Sequence, residues 1–90
     1  MAVFLVTYDL IKNKDYEELF EAIKSLSKDW WHCLDSTWFI VHPGPANAIR
    51  DALLPHIDSD DKLLVATMGK GAAWTTTFSE KCQAWLRKHL

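Results

Sequence analysis

Clusters of positive charge are what this chain most lacks. It has 10 Lys and Arg against 12 Asp and Glu, a formal net charge of −2, and the basic residues are scattered. The electrostatic footprint of a nucleic-acid binder is therefore missing, which argues against strong, non-specific DNA binding. No apolar run approaches the roughly 20 residues that a membrane span requires. Met1-Ala2 leads straight into an apolar strand, without the charged region and cleavage site of a secretory signal. Cysteine is scarce. Cys33 and Cys82 lie far apart and form no metal-type pair, so they read as two reduced thiols of a cytoplasmic protein. His32, His42, His56 and His89 show no H-x-x-x-H or related spacing, and a zinc site built from His32, Cys33 and His42 across a hairpin has no spacing to support it. Gly69-Lys70-Gly71 lacks the remaining pattern of a phosphate loop and reads as a strand-to-loop turn. Asp58, Asp60 and Asp61 lack the EF-hand pattern and read as a solvated loop.

Apolar material, in contrast, is plentiful. Hydrophobic residues make up 49% of 90 positions, enough for one core and too many for a disordered chain. Residues 1–90 therefore read as one domain. Five Trp are more aromatic surface than so small a core needs. Because Trp is enriched at interfaces, this points to a homodimer.

The run Val3-Phe4-Leu5-Val6-Thr7-Tyr8-Asp9 is a β-forming stretch that ends on a carboxylate. A connector over Leu10 to Lys14 follows. Asp15 with Glu18 three positions later predicts a capped helix start, and Tyr16, Leu19, Phe20, Ile23 and Leu26 form its apolar stripe to about Ser27. Trp31 to Leu34, a turn at Asp35-Ser36, and Thr37 to Val41 predict a hairpin. After the break at His42-Pro43-Gly44-Pro45, Pro45 suits the first position of a helix that runs to about Leu54, with Ala46, Ile49, Ala52 and Leu53 inward and Pro55 closing it. Lys62 to Met68 reads as a fourth strand. Thr77, with Glu80 three positions on, predicts the cap of a last helix whose face is Phe78, Cys82, Trp85, Leu86 and His89. The order β-α-β-β-α-β over 1–68, with a loop and helix over 69–90, predicts an α+β, ferredoxin-like sandwich: a four-stranded antiparallel sheet plus a C-terminal helix. That helix can cover the open sheet face or dock on a partner subunit.

Two motifs carry a resemblance. Phe4-Leu5-Val6-Thr7-Tyr8-Asp9-Leu10 resembles the opening strand of the small ferredoxin-like CRISPR-associated adaptation proteins, where a Tyr-Asp-aliphatic triplet ends strand one. Cys33-Leu34-Asp35-Ser36-Thr37-Trp38-Phe39 resembles their second motif, with Thr37 at the hydroxyl position and Phe39 at the aromatic one. The Trp-rich hairpin and helical tail are similar to uncharacterised bacterial SinR-like members of that superfamily, and virulence-associated protein D is a more distant likeness in fold. The resemblance implies a dimer in which the strand-end Asp of each subunit serves metal-dependent cleavage of nucleic acid, or a structural dimer without catalysis. This chain departs from the family pattern at Cys33, where Arg is usual, and at Ile40, where an acid is common. It also lacks the usual basic residues and ends in a helix rather than a strand.

Asp9 is thus the first candidate. Paired across a two-fold axis, two such carboxylates could bind Mg²⁺ (or Mn²⁺), whose bound water would attack a phosphodiester of RNA or DNA. Alternatively Asp9 caps the turn after strand one or bonds Asn13 or Lys14. Tyr8 and Thr37 are candidates for substrate binding, with packing and β propensity as their competing explanations. Trp30, Trp31 and Trp38 could stack bases, but without basic neighbours they fit core or interface packing better. Two functions remain open: a metal-dependent nuclease of the CRISPR-associated type, or a non-catalytic dimeric interaction or regulatory module.

Overall fold

The computed structural model describes residues 1–10 and 16–90. Strand β1 (Ala2–Asp9) lies between β3 (Thr37–His42) and β4 (Lys62–Thr67), and β2 (Trp30–Leu34) pairs with β3, giving the order β2-β3-β1-β4. All three pairings are antiparallel. The four-stranded sheet carries three helices, α1 (Glu17–Leu26), α2 (Ala46–Leu53) and α3 (Glu80–His89). This α+β arrangement is compatible with the expected ferredoxin-like one. Among the described residues, no helix is long and apolar enough to cross a membrane.

The alternation of β1 decides which side is core. Phe4, Val6 and Tyr8 are buried against Leu19 and Ile23 of α1 and Ile49 and Leu53 of α2, joined by Trp38 and Ile40 of β3. Thr7 and Asp9, of opposite parity, lie on the other face. There α3 covers the end of the sheet formed by β2 and β3. Trp31 packs at a tilt against Phe39 and Phe78, and the Phe39 and Trp85 rings lie nearly parallel, 6.2 Å apart. Trp31 Nε1 donates to the carbonyl of Cys82 (3.1 Å), and Trp85 Nε1 donates to Asp29 Oδ1 (2.7 Å). His89 Nε2 sits 3.0 Å from Asp29 Oδ2, within ion-pair range but outside hydrogen-bonding geometry.

The hairpin falls within a residue of its expected bounds, with Asp35 and Ser36 as the turn. The start of α3 needs correction. Ser79, not Thr77, is the cap: its Oγ accepts from the amide of Cys82 (3.2 Å), while Thr77 Oγ1 is engaged with Thr75 Oγ1 (2.7 Å). Pro45 caps α2 from extended backbone instead of opening it, and a 3₁₀ turn over Leu54–His56 carries Pro55. Ala52 is exposed rather than inward. The expected Asp15 cap lies outside the described residues.

The largest correction concerns the cysteines. Cys33 and Cys82 are joined in a disulfide, with Cα atoms 6.4 Å apart, and neither is a free thiol. Cys33 lies in the irregular part of β2, between Trp31 and Leu34, and Cys82 lies in the first turn of α3. The partners are 49 residues apart in sequence, so only the docking of α3 on β2 brings them together. The bridge also occupies Cys33, which removes it from any zinc site with His32 and His42. Disulfides persist in oxidising compartments, so the cysteines no longer support a cytoplasmic location.

Candidate functional site

β1 and β4 form the half of the second sheet face that α3 leaves open. Asp9 ends β1 opposite Lys62, Thr7 lies opposite Leu64, and Leu5 opposite Ala66. Leu64 is 54% exposed, an unusually bare aliphatic side chain for a strand. A shallow recess of about 350 Å³ at this end is lined by Thr7, Tyr8, Asp9, Lys62, Leu63 and Leu64.

The structure brings two of the three predicted site residues to this face. Asp9 is exposed, and none of the described residues hydrogen-bonds or ion-pairs with its carboxylate. Thr37 pairs with Thr7 in the β1–β3 register, and their hydroxyls lie 3.3 Å apart. Thr7 Oγ1 also donates to the Ser36 carbonyl (3.0 Å), so it ties β1 to the hairpin turn. Thr7, recognisable in the sequence only as part of the first strand, is therefore the residue that links the two motifs. Its position two before Asp9 is the signal that could have found it, because strand residues two apart share a face.

Tyr8 faces the other way. It is buried in the core, where Trp38 Nε1 donates to its hydroxyl (3.2 Å) and that hydroxyl donates to the Asp35 carbonyl (3.4 Å). Burial raises its pKa above 10.0, the Trp38 hydrogen bond offsets part of this, and Tyr16 and Asp35 add to the rise. A phenol that holds its proton more tightly when folded stabilises the fold fully below the unfolded pKa and loses that contribution as pH climbs through the raised value. Tyr8→Phe should cost about 1–2 kcal/mol near neutral pH, because the buried Trp38 N–H loses its acceptor. The variant should also lose less stability than the parent above about pH 10. Urea unfolding at neutral and alkaline pH measures both; equal alkaline losses in the two proteins would refute the titration argument.

Trp38 stacks face to face on His32, with centroids 3.9 Å apart and planes within 10°, and is wholly buried. Trp31 is buried under α3. Trp30 is partly exposed but lies beneath the ammonium of Lys24, 5.2 Å from the ring centroid. None of these indoles forms an open stacking platform.

Asp9 supplies a hard oxygen ligand of the kind Mg²⁺ takes, but a single carboxylate is an incomplete donor set. Among the described residues no group of three or more His, Cys, Asp or Glu side chains converges to hold a metal ion. The described residues of this face thus offer one exposed carboxylate, one ammonium, two linked hydroxyls and an aliphatic strip. Compared with known proteins, the chain matches no family model, no curated protein and no solved structure.

Proposed function

We propose that the chain is a ferredoxin-like, non-catalytic interaction module that works as a homodimer through the open β1–β4 half of its sheet. The observation that carries this reading is Leu64, 54% exposed at the centre of an otherwise regular strand, with Leu5 and Ala66 beside it on the same face. The charges at its end favour a second copy of this chain as occupant. With two copies face to face and a two-fold axis running along the strands between β1 and β4, Asp9 of one copy sits over Lys62 of the other, and the patch is self-complementary. A cytoplasmic setting fits this reading only if the Cys33–Cys82 bond opens in the thiol pool of that compartment.

A second reading, a metal-dependent nuclease of the CRISPR-associated type, is favoured by one observation: the exposed Asp9 carboxylate shares a face with Thr7 and Thr37. It needs the axis shifted onto β1, so that two Asp9 carboxylates meet. Like charges at that distance repel unless a cation such as Mg²⁺ or Mn²⁺ lies between them, and the first geometry needs no such ion. When bound, the ion would activate a water for attack on an RNA or DNA phosphodiester.

One set of measurements separates the readings. Light scattering after size exclusion should show a dimer at micromolar concentration, without added metal, and Leu64→Glu should weaken it by on the order of a hundredfold by burying an unpaired charge. A monomeric parent protein would end the dimer proposal. Cleavage of RNA or DNA that requires Mg²⁺ or Mn²⁺, and that disappears in Asp9→Ala with Tm unchanged, would instead establish the nuclease.

A further inference from the structure

We propose that the Cys33–Cys82 disulfide is a reducible latch, opened by thiol–disulfide exchange with a dithiol reductant, and that its opening releases α3 from the sheet. The inference concerns the covered half of the face and stands apart from the dimer reading.

Three observations carry it. The bond is reachable: a recess of about 210 Å³ opens beside it, lined by Trp30, His32, Lys81 and Trp85 together with both cysteines. The helix is a satellite of the domain. It has 10 residues, too short to persist alone in water, and it packs chiefly on the edge strand β2. It is also joined to β4 by residues 68–79, which contain no helix or strand. Its attachments are few and local. Among the described residues they include, besides the disulfide, the Trp31–Cys82 and Trp85–Asp29 hydrogen bonds, the Gly71 amide donating to the Leu90 carbonyl (3.4 Å), the His89–Asp29 contact and the packing of Leu86, Phe78 and Trp85 on the hairpin. The main core of the domain contains no residue of α3.

The chemistry has a direction. Cys82 lies in the first turn of α3, at the positive end of the helix dipole, which stabilises negative charge leaving on its Sγ as the bond breaks. Cys82 is therefore the better leaving group and Cys33 Sγ the site of attack. A reductant thiolate forms a mixed disulfide with Cys33 as the S–S bond breaks, and the electron pair leaves on Cys82 Sγ, which takes up a proton. The second thiol of the reductant then displaces Cys33, which also leaves as a thiolate and is protonated. Two electrons and two protons pass to the protein, and the reductant becomes its own disulfide. With α3 detached, the Trp31 and Phe39 rings lose their cover and extend the aliphatic strip of Leu5, Leu64 and Ala66 across the sheet.

The test uses the intact chain, oxidised and after millimolar dithiothreitol, with free thiols counted and amide hydrogen exchange followed by residue. Reduction should proceed without denaturant and expose two thiols. Amides in the last two turns of α3 should then exchange faster by on the order of tenfold or more, while those of β1 and β3 keep their protection. Cys33→Ser should reproduce the reduced pattern without reductant and should not respond to it. The latch is overturned if the thiols appear only on unfolding, or if α3 is equally protected with and without the bond. It is also overturned if β1 and β3 lose protection together with α3, which would make the bridge a staple of the whole domain.

Discussion

Trp38→Ala is expected to cost about 3–5 kcal/mol, the usual range for emptying a buried indole, out of a total stability of roughly 5–15 kcal/mol. Trp38 is 0% exposed and touches both halves of the core. Its ring stacks on His32, lies 5.4 Å from Phe20 of α1 and 5.2 Å from Trp30 of β2, and its Nε1 donates to the Tyr8 hydroxyl. Alanine would leave a cavity between sheet and helix, strip His32 of its stacking partner and remove the donor that Tyr8 accepts from. For a domain of this size each kcal/mol moves Tm by about 4–8 °C, so a fall of roughly 12 °C or more is expected by calorimetry. Trp38→Phe keeps most of the packing and should recover more than half of the loss. A loss under about 1.5 kcal/mol for the alanine variant would mean that this region is not the packing centre described above.

Gly44→Ala should be the next most damaging change, at about 2–4 kcal/mol, because two penalties coincide. Gly44 has φ +74°, in the left-handed region that a side chain disfavours. A Cβ at this position would also lie 2.7 Å from Cζ of Phe4, a ring that is itself only 3% exposed and has no room to retreat. The segment is held by the Gly44 amide donating to His42 Nδ1 (2.8 Å), and Phe4 meets the His42 ring edge-on. Urea denaturation compares this variant with Gly71→Ala. Gly71 also has positive φ (+102°), but nothing lies near its Cβ position. If the two variants lose the same stability, backbone strain alone explains the effect and the Phe4 clash contributes nothing.

These two positions illustrate what could be read from residue types. The hairpin was visible because aromatic and β-branched runs flank Asp35-Ser36, and local side-chain bonding makes that pair a turn. The inward stripe of α1 followed from a period of about 3.6, whereas the continuously apolar run of β1 left its inward face open. Trp38 could be assigned to packing, since no basic residues accompany it. The glycine at 44 was visible only as part of a break; its closeness to Phe4 depends on how the chain after β3 folds back over β1.

The candidate site was legible in part. Asp9 and Thr37 were singled out from two separate motifs, and antiparallel pairing of β1 with β3 puts them on one face. Tyr8 was chosen with them because it is adjacent in sequence, and adjacency in a strand means opposite faces. Lys62 and Leu64 went unnoticed because they reach the site only through pairing with β1 from more than 50 positions away.

By itself the sequence determined the element order and the apolar stripe of α1, because local propensity and hydrophobic period act over a few residues and need no partner. Only the tertiary structure decided that Cys33 and Cys82 are bonded, that α3 covers half of a face and leaves Leu64 bare, and that Asp9 stands beside Lys62. Those outcomes depend on contacts between distant segments, whose geometry is set by the register of strands and the docking of a helix, and no local pattern in the chain encodes either.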